Sequence, residues 1–505
     1  MISVKLQDGS CRSFDSPEKP VTAMKFLAEH NIGTDSPCGG AGKCGKCRAK
    51  IFGDILPPGE TELGFLTPED ISGGVRLLCL TYLSGGDAEI ALLSQNEVSG
   101  ITESISLDIP LSPWGQGLGL AVDIGTTTVA GYLYDLGSGN RLSESAAQNP
   151  QCAFGADVIS RLSHSLAGNG GKLRDSVTSS VASLAEILCQ KAGRSTGDIG
   201  AAVITGNTSM LYLFHGYDVS DLARAPFKAG HLFGTFEPAD CFFSGWAPGS
   251  RIYFAPCISA YIGADLVCAV LASGMCTSGT PSLLADIGTN GEIALYSGGR
   301  LLCCSTAAGP AFEGAGISQG SGAFAGAIDR VYTECGTLRV HSIGGEKPRS
   351  ICGSGLLDAA AALLKTGLMD ETGRLTASEI RLGESDVLLT QADIRAFQLA
   401  KAAIRAGMET LLHHAKPGSL PRLLMAGGFG TKLSPESAAT TGLIIPGMEK
   451  NCLSLGNAAG LGACAMLLSE DCVGSGENIA KTAGMLELTA DPFFADSYIE
   501  NMVFE

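Results

Sequence analysis

The chain has 505 residues, a formal charge of −17 and 18 cysteines. That acidity disfavours nucleic acid and anionic membranes as partners, and no run of about 18 apolar residues marks a membrane span. The length calls for two or more domains. A long chain that opens directly on a strand, with no leader-like segment, makes the cysteines those of a reduced, cytoplasmic protein rather than a disulfide scaffold.

Taken in order, Ile2-Ser-Val-Lys-Leu6 alternates as a strand, Asp8-Gly9 supplies a turn, and a second strand is expected near Cys11–Phe14. Apolar residues at helical spacing over Val21–His30 predict a helix that stops near Gly33. Three cysteines follow in one glycine-rich stretch, Cys38-Gly-Gly-Ala-Gly-Lys-Cys44-Gly-Lys-Cys47, and Cys79 sits in Leu-Leu-Cys-Leu. Four thiolates with a C-x-x-C step suit a 2Fe-2S cluster. The glycines let the backbone wrap such a group with its N–H groups turned toward sulfur. Zinc is the competitor, but zinc ribbons pair two short cysteine knuckles and Cys79 has no such partner. Ala88–Leu93 reads as a closing strand. Polar residues and then Pro110, Pro113, Gly115 and Gly117 make 95–117 a linker.

An internal repeat starts abruptly after it. Leu118-Gly-Leu-Ala-Val-Asp123-Ile-Gly125-Thr-Thr-Thr128 is answered by Ser282-Leu-Leu-Ala-Asp286-Ile-Gly288-Thr289-Asn290-Gly291. In each copy an apolar strand delivers an Asp to its end and a glycine lets the chain turn back. Backbone concavities of this kind bind phosphate, and the Asp can hold Mg²⁺ directly or through water. Three glycine clusters follow. Ile351-Cys-Gly353-Ser354-Gly355 feeds a helix N-terminus, where an anion is favoured. Ala426-Gly427-Gly428-Phe-Gly430 ends a short strand and suits the approach of a flat base and ribose. Leu455-Gly456-Asn457-Ala-Ala-Gly460-Leu-Gly462 opens a helix of small residues fit for close packing.

The first 94 residues resemble a β-grasp ferredoxin domain of the 2Fe-2S type, with Cys38, Cys44, Cys47 and Cys79 as the implied ligands. Residues 118–475 resemble the actin, sugar-kinase and heat-shock-chaperone ATPase superfamily, a duplicated ribonuclease-H-like α/β fold. This divides the chain into a ferredoxin domain (1–94), a linker (95–117), two ATPase halves (118–281 and 282–475) and a C-terminal extension (476–505). In that resemblance Gly125, Thr126, Thr127 and Thr128 form the first phosphate hairpin, and Gly288, Thr289, Asn290 and Gly291 the second. Gly427, Gly428 and Gly430 form the adenosine motif, with Gly353 and Ser354 at the helix start. Asp123 and Asp286 are the implied catalytic carboxylates around ATP and Mg²⁺. Glu313 has two readings, orienting the attacking water or making a structural hydrogen bond.

The fusion of the two, with Phe154-Gly-Ala-Asp-Val-Ile-Ser-Arg161 and Ala307-Ala-Gly-Pro-Ala-Phe-Glu313, resembles the ATP-dependent reductive activators of corrinoid proteins. That implies return of one electron to an inactive cobalt(II) corrinoid methyl carrier. Each ~59 mV uphill is a tenfold penalty for one electron, which a ferredoxin alone cannot overcome. The implied partners are the corrinoid carrier and a low-potential electron donor, and a homodimer stays open. Two alternatives also stand: an activator of another low-potential metalloenzyme, and a small-molecule kinase with an accessory cluster.

Overall fold

The computed structural model describes residues 1–6, 11–30, 32, 34, 40, 42, 45, 47–92, 109–155 and 157–504. The Asp8-Gly9 turn, Cys38, Cys44 and the linker up to residue 108 lie outside the described residues.

Alternation in the first strand buries Ile2 and Val4 completely. This strand, β1 (Ile2–Lys5), pairs antiparallel with β2 (Cys11–Phe14) and parallel with the last strand of its sheet. Val21–Thr22 forms a short strand, β3, and Thr22 then caps α1 (Ala23–Glu29) by accepting from Lys25 N. The helix therefore starts later than its apolar spacing implies. β4 (Arg48–Ile55), β5 (Val75–Leu77) and β6 (Tyr82–Leu92) complete a sheet of order β2-β1-β6-β4-β5, with β3 also on β6. β4 and β5 were not foreseen, and β6 begins well before Ala88. The core under α1 is Met24, Phe26 and Leu27 against Ile51, Leu77 and Ile90.

The repeated motif builds two sheets that match in five strands and carry the sixth on opposite edges. In the first, β7 (Leu118–Ile124), β8 (Thr128–Asp135) and β9 (Arg141–Gln148) form an antiparallel meander. α2 (Val158–His164) and α3 (Gly170–Lys191) follow. β10 (Ile199–Gly206) then lies parallel to β7. After α4 (Thr208–His215), β11 (Thr235–Pro238) and β12 (Arg251–Phe254) finish the order β11-β12-β10-β7-β8-β9. α5 (Ala264–Ser273) leads to the second copy.

There β13 (Ser282–Ile287), β14 (Gly291–Ser297) and β15 (Arg300–Thr306) repeat the meander. α6 (Gly353–Lys365) and α7 (Gln391–Ala415) precede β16 (Arg422–Ala426), which is parallel to β13 and continues into α8 (Gly427–Lys432). β17 (Cys452–Gly456) pairs parallel with β16, and α9 (Ala458–Leu468), α10 (Glu470–Thr482), β18 (Gly484–Met485) and α11 (Pro492–Glu500) end the chain. The second order is β17-β16-β13-β14-β15-β18. The inner strands β7 and β13 are almost wholly apolar because both of their faces are covered.

The halves are tied by a helix from the second packing on the first. α9 lies on β7 and β10 and against α5. A Cβ on Gly462 would meet the carbonyl oxygen of Cys268 at 2.1 Å, so only glycine permits this crossing. The segment 476–505 is no appendage. β18 joins the sheet beside β15, α11 packs on α7, and His414 Nε2 contacts Asp491 Oδ2 at 2.6 Å. The end of the expected linker is also fixed, since Trp114 Nε1 donates to Met466 O (3.0 Å) and Ser112 N to Leu468 O (3.0 Å). The ferredoxin helix α1 rests against the turn Pro150–Ala153 that follows β9. No helix among the described residues is long and apolar enough to cross a membrane.

Candidate nucleotide cleft and cluster site

Asp123 and Asp286 occupy the same place, one residue before the ends of β7 and β13. Each is followed by a tight turn. Gly125 N donates to Thr128 O (2.9 Å) in the first, and Gly288 N to Asn290 O (3.1 Å) in the second. The first hairpin is pinned from outside. Asn149 Nδ2 donates to Gly125 O (2.8 Å), Asn149 N to Thr127 O (2.8 Å), Arg161 Nη2 to Thr126 O (2.6 Å) and Asn207 Nδ2 to Thr126 Oγ1 (3.2 Å). Glu313 spans both hairpins: Oε2 accepts from Thr127 Oγ1 (3.1 Å), and Oε1 from Thr289 N and Oγ1 (2.9 Å each).

The hairpins face a cavity of about 360 Å³. Asp123, Gly125, Thr126, Thr127 and Thr128 line it from one side, with Asp286, Gly288, Thr289, Asn290 and Glu313 opposite. Gly353 and Ser354 at the start of α6, and Gly427 and Gly428 at the start of α8, close the remaining wall. Gly291 and Gly430 do not line it. A Cβ on Gly291 would meet Ile404 Cδ1 at 2.0 Å, so this glycine serves the packing of α7 on β14. Gly430 is buried against Met425, where α8 folds back on β16. Gly427 has φ +81°, and a Cβ there would meet Asp286 Oδ1 at 2.3 Å, so glycine brings backbone against the carboxylate. The glycine-rich stretch is thus the first turn of a helix rather than a loop. The rings of Phe312 and Phe429, 4.7 Å apart, form an apolar end suited to a flat base.

Buried carboxylates dominate the floor. Burial lifts Asp123 to about 7 and the charge of Asp286 adds to this, while a hydrogen bond from Asn457 opposes it. Burial, then the charges of Asp123 and Asp286, lift Asp265 to about 8. Burial and then Glu313 lift Asp286 to about 6, and Glu292 is pushed well above its ordinary value. Carboxylates crowded in this way call for a cation. No three Asp, Glu, His or Cys side chains among the described residues come close enough to hold a metal unaided. Mg²⁺ keeps several waters and shares one or two carboxylates with substrate phosphates, a role the strand-end Asp123 and Asp286 suit. ATP fits the cavity by its lining: two hairpins bearing threonine hydroxyls, a helix start and a glycine cradle.

Asp265 lies in the first turn of α5, after the cap Gly263, and faces the other acids. Asn149, Asn207, Arg161 and Asn457 were not assigned to the site from sequence. Asn457 was legible as a cap of α9, where it accepts from Gly460 N (2.9 Å). Its bond to Asp123 depends on tertiary packing alone. Cys303 and Cys304 are fully buried, as small apolar residues would be.

At the other site, Cys47 Sγ lies 3.2 Å from Cys79 Sγ, and Cys79 N donates to Cys47 Sγ at 3.4 Å. Gly40, Gly42 and Gly45 of the same loop all have left-handed φ, between +63° and +83°. Two arginines hold the frame. Arg48 Nε donates to Gly45 O (3.1 Å). Arg76 makes a buried bidentate pair with Glu62 (3.0 and 2.9 Å), and Glu62 Oε1 also accepts from Leu77 N (2.7 Å), just before Cys79. The close Cys47 and Cys79 thiols, an N–H directed at sulfur and glycines of left-handed φ fit a 2Fe-2S cluster.

Fold and sites together define a ferredoxin-type iron–sulfur domain joined to an actin- and sugar-kinase-like ATPase. Comparison with known proteins agrees segment by segment. Residues 6–84 match the 2Fe-2S iron-sulfur cluster binding domain, 118–278 the RACo middle region, and 280–505 the C-terminal domain of RACo, the ASKHA domain. The corrinoid activation enzyme RamQ of Eubacterium limosum is 33% identical over 463 residues, 84% of this chain and 75% of that protein. The [Co(II) methylated amine-specific corrinoid protein] reductase of Methanosarcina barkeri is 29% identical over 331 residues, 59% of this chain and 61% of that protein. Among solved structures, a reductive activator for corrinoid, iron-sulfur protein superposes with TM-score 0.71 and 28% identity over 100% of this chain and 98% of that one. The chain belongs to this family of reductive activators.

Proposed function

We propose that the protein couples ATP hydrolysis to the return of one electron to an inactive cobalt(II) corrinoid methyl carrier, restoring cobalt(I). The observation that carries this reading is one chain holding both a thiol-lined ferredoxin loop and a carboxylate-floored nucleotide cleft. Cys38, Cys44, Cys47 and Cys79 hold the cluster, which supplies one-electron storage between a low-potential donor and the cobalt. Asp123 and Asp286 organise Mg²⁺ through water. The hairpin N–H groups and the hydroxyls of Thr126, Thr127, Thr128 and Thr289 hold the phosphates.

Glu313 is bonded to both hairpins, so phosphate entering between them competes with it. Once displaced, its carboxylate is placed to accept a proton from the attacking water. Nucleotide state then biases how the halves meet, and the carrier responds only if it binds the two arrangements with different affinity. In this reading residues 1–94 carry the electron, 118–281 and 282–475 are the two jaws, and 476–505 complete the second. Residues 95–108 serve as the tether.

The test mixes anaerobically purified protein with a cobalt(II) carrier, reductant and MgATP, and follows cobalt(I) by its visible spectrum. Cobalt(I) is expected with the parent and none with Cys79→Ser, whose cluster is lost. Phosphorylation of a small molecule in place of cobalt(I) would favour a kinase.

A further inference from the structure

Arg161 has a fully buried side chain in α2, and its guanidinium touches no carboxylate among the described residues. Nε donates to Gly155 O (2.9 Å), Nη1 to Met210 Sδ (3.3 Å), and Nη2 to both Thr126 O (2.6 Å) and Cys152 Sγ (3.2 Å). A cation buried without an ion-pair partner is costly to keep. Here it has two structural neighbours of different kinds.

The first is the phosphate hairpin. A trans peptide is planar, with its C=O and N–H directed oppositely. A guanidinium that pins Thr126 O therefore fixes the direction of Thr127 N–H, and it polarises that peptide so that the N–H donates more strongly. The second neighbour is the turn Pro150–Ala153, through Cys152, and this turn is where ferredoxin helix α1 rests. His164, at the end of the same helix α2, is held below its ordinary value by burial first and then by the charges of Lys172 and of Lys25 of α1, which places Lys25 beside it. The cluster loop is near at hand, since Met24 N of α1 donates to Leu78 O (2.9 Å), one residue before Cys79.

We propose that Arg161 is a positioning residue that links the phosphate-facing peptide of the first hairpin to the docking surface of the ferredoxin domain. The proposal rests on the reading of the cleft as an ATP site. Phosphate accepting from Thr127 N–H strengthens the Arg161–Thr126 bond and steadies the Cys152 turn, which favours the docked position of α1. Undocking, by reciprocity, weakens nucleotide binding by the same factor.

The experiment is hydrogen exchange of the full-length, cluster-loaded protein with and without a non-hydrolysable ATP analogue and Mg²⁺. It is read in peptides covering residues 23–29 and 150–153. In the parent the analogue is expected to slow exchange in both. Arg161→Lys keeps a charge but lacks the planar fork whose Nε and Nη1, on Gly155 O and Met210 Sδ, hold the head against Thr126 and Cys152. It should bind the analogue about tenfold more weakly and, at saturation, leave exchange in 23–29 unchanged. An equal slowing in the variant, or none in a parent that binds the analogue, overturns the proposal. A parent that does not bind the analogue at all sinks the cleft reading first. If Arg161→Lys does not fold, as judged by its melting curve, Cys152→Ala is read by exchange in 23–29 in the same way, because it cuts the turn from the guanidinium and from Thr126 O (3.8 Å) while leaving the Arg161–Thr126 bond.

Discussion

The two hairpins share Asp-Ile-Gly-Thr and a common backbone path, yet they are held very differently. The first is braced by its own half through Asn149, Arg161 and Asn207, each bonded to residues 125–127. The second relies on Gly309 N donating to Thr289 O (3.0 Å) and on Glu313, which also grips the first. A repeated sequence thus fixes where the turns lie, while the non-repeated residues around them decide which turn is rigid. Releasing Glu313 frees the second hairpin more than the first. The cleft is built as a fixed jaw and a jaw that depends on its clasp.

The strongest way to break this asymmetry is at what the hairpins have in common. Asp123→Ala and Asp286→Ala should each reduce ATP hydrolysis to background while the cluster's EPR signal stays intact. Parental hydrolysis in both would move the cleft elsewhere.

Glu313→Gln comes next. The amide can still bond Thr289 and Thr127 but is a poor proton acceptor, so kcat should fall by about a hundredfold or more with KM little altered. An unchanged kcat would reduce Glu313 to the clasp alone.

Asn149→Ala and Thr289→Val then compare the two supports directly. The first leaves Gly125 O and Gln151 N without their partner and should cost about 1–3 kcal/mol of stability in a denaturant titration. The second loses one hydroxyl bond to Glu313 and should cost about 0.5–1.5 kcal/mol. Equal costs would mean that the hairpins are equally braced.

The smallest effect is on pH dependence. Folding raises Asp123 to about 7, Asp265 to about 8 and Asp286 to about 6, from 3.8. The folded chain therefore keeps protons that the unfolded chain gives up. This stabilisation is complete below the unfolded value and is lost as pH rises through 6 to 8. The nucleotide-free protein should melt lower at pH 8 than at pH 6. Asp265→Asn should flatten the slope, and an unchanged slope would show that these acids are not its source.

Much of this was legible beforehand because it is local. The repeated strand-Asp-Ile-Gly-Thr pattern placed both hairpins, and the small residues around Gly462 announced a close helix crossing. Cysteine spacing marked the cluster loop. The rest depends on distant pairing. β4 and β5 declare themselves only once β6 lies between β1 and β4. Glu62 meets Arg76 across a fold, and Asn457 reaches Asp123 from the far end of the chain. Gly291 and Gly430 look like their neighbours in sequence. Only the positions of Ile404 and Met425 show that they pack rather than face the cavity.

The central claim is that the cleft drives an electron which the ferredoxin domain merely carries. Its most direct test is the Asp286→Ala protein, loaded with cluster, reduced anaerobically and mixed with cobalt(II) carrier and MgATP. EPR reads the cluster and the visible spectrum reads the cobalt in the same sample. The account predicts a cluster reduced as fully as in the parent and no cobalt(I). Cobalt(I) formed to the parental extent would contradict it.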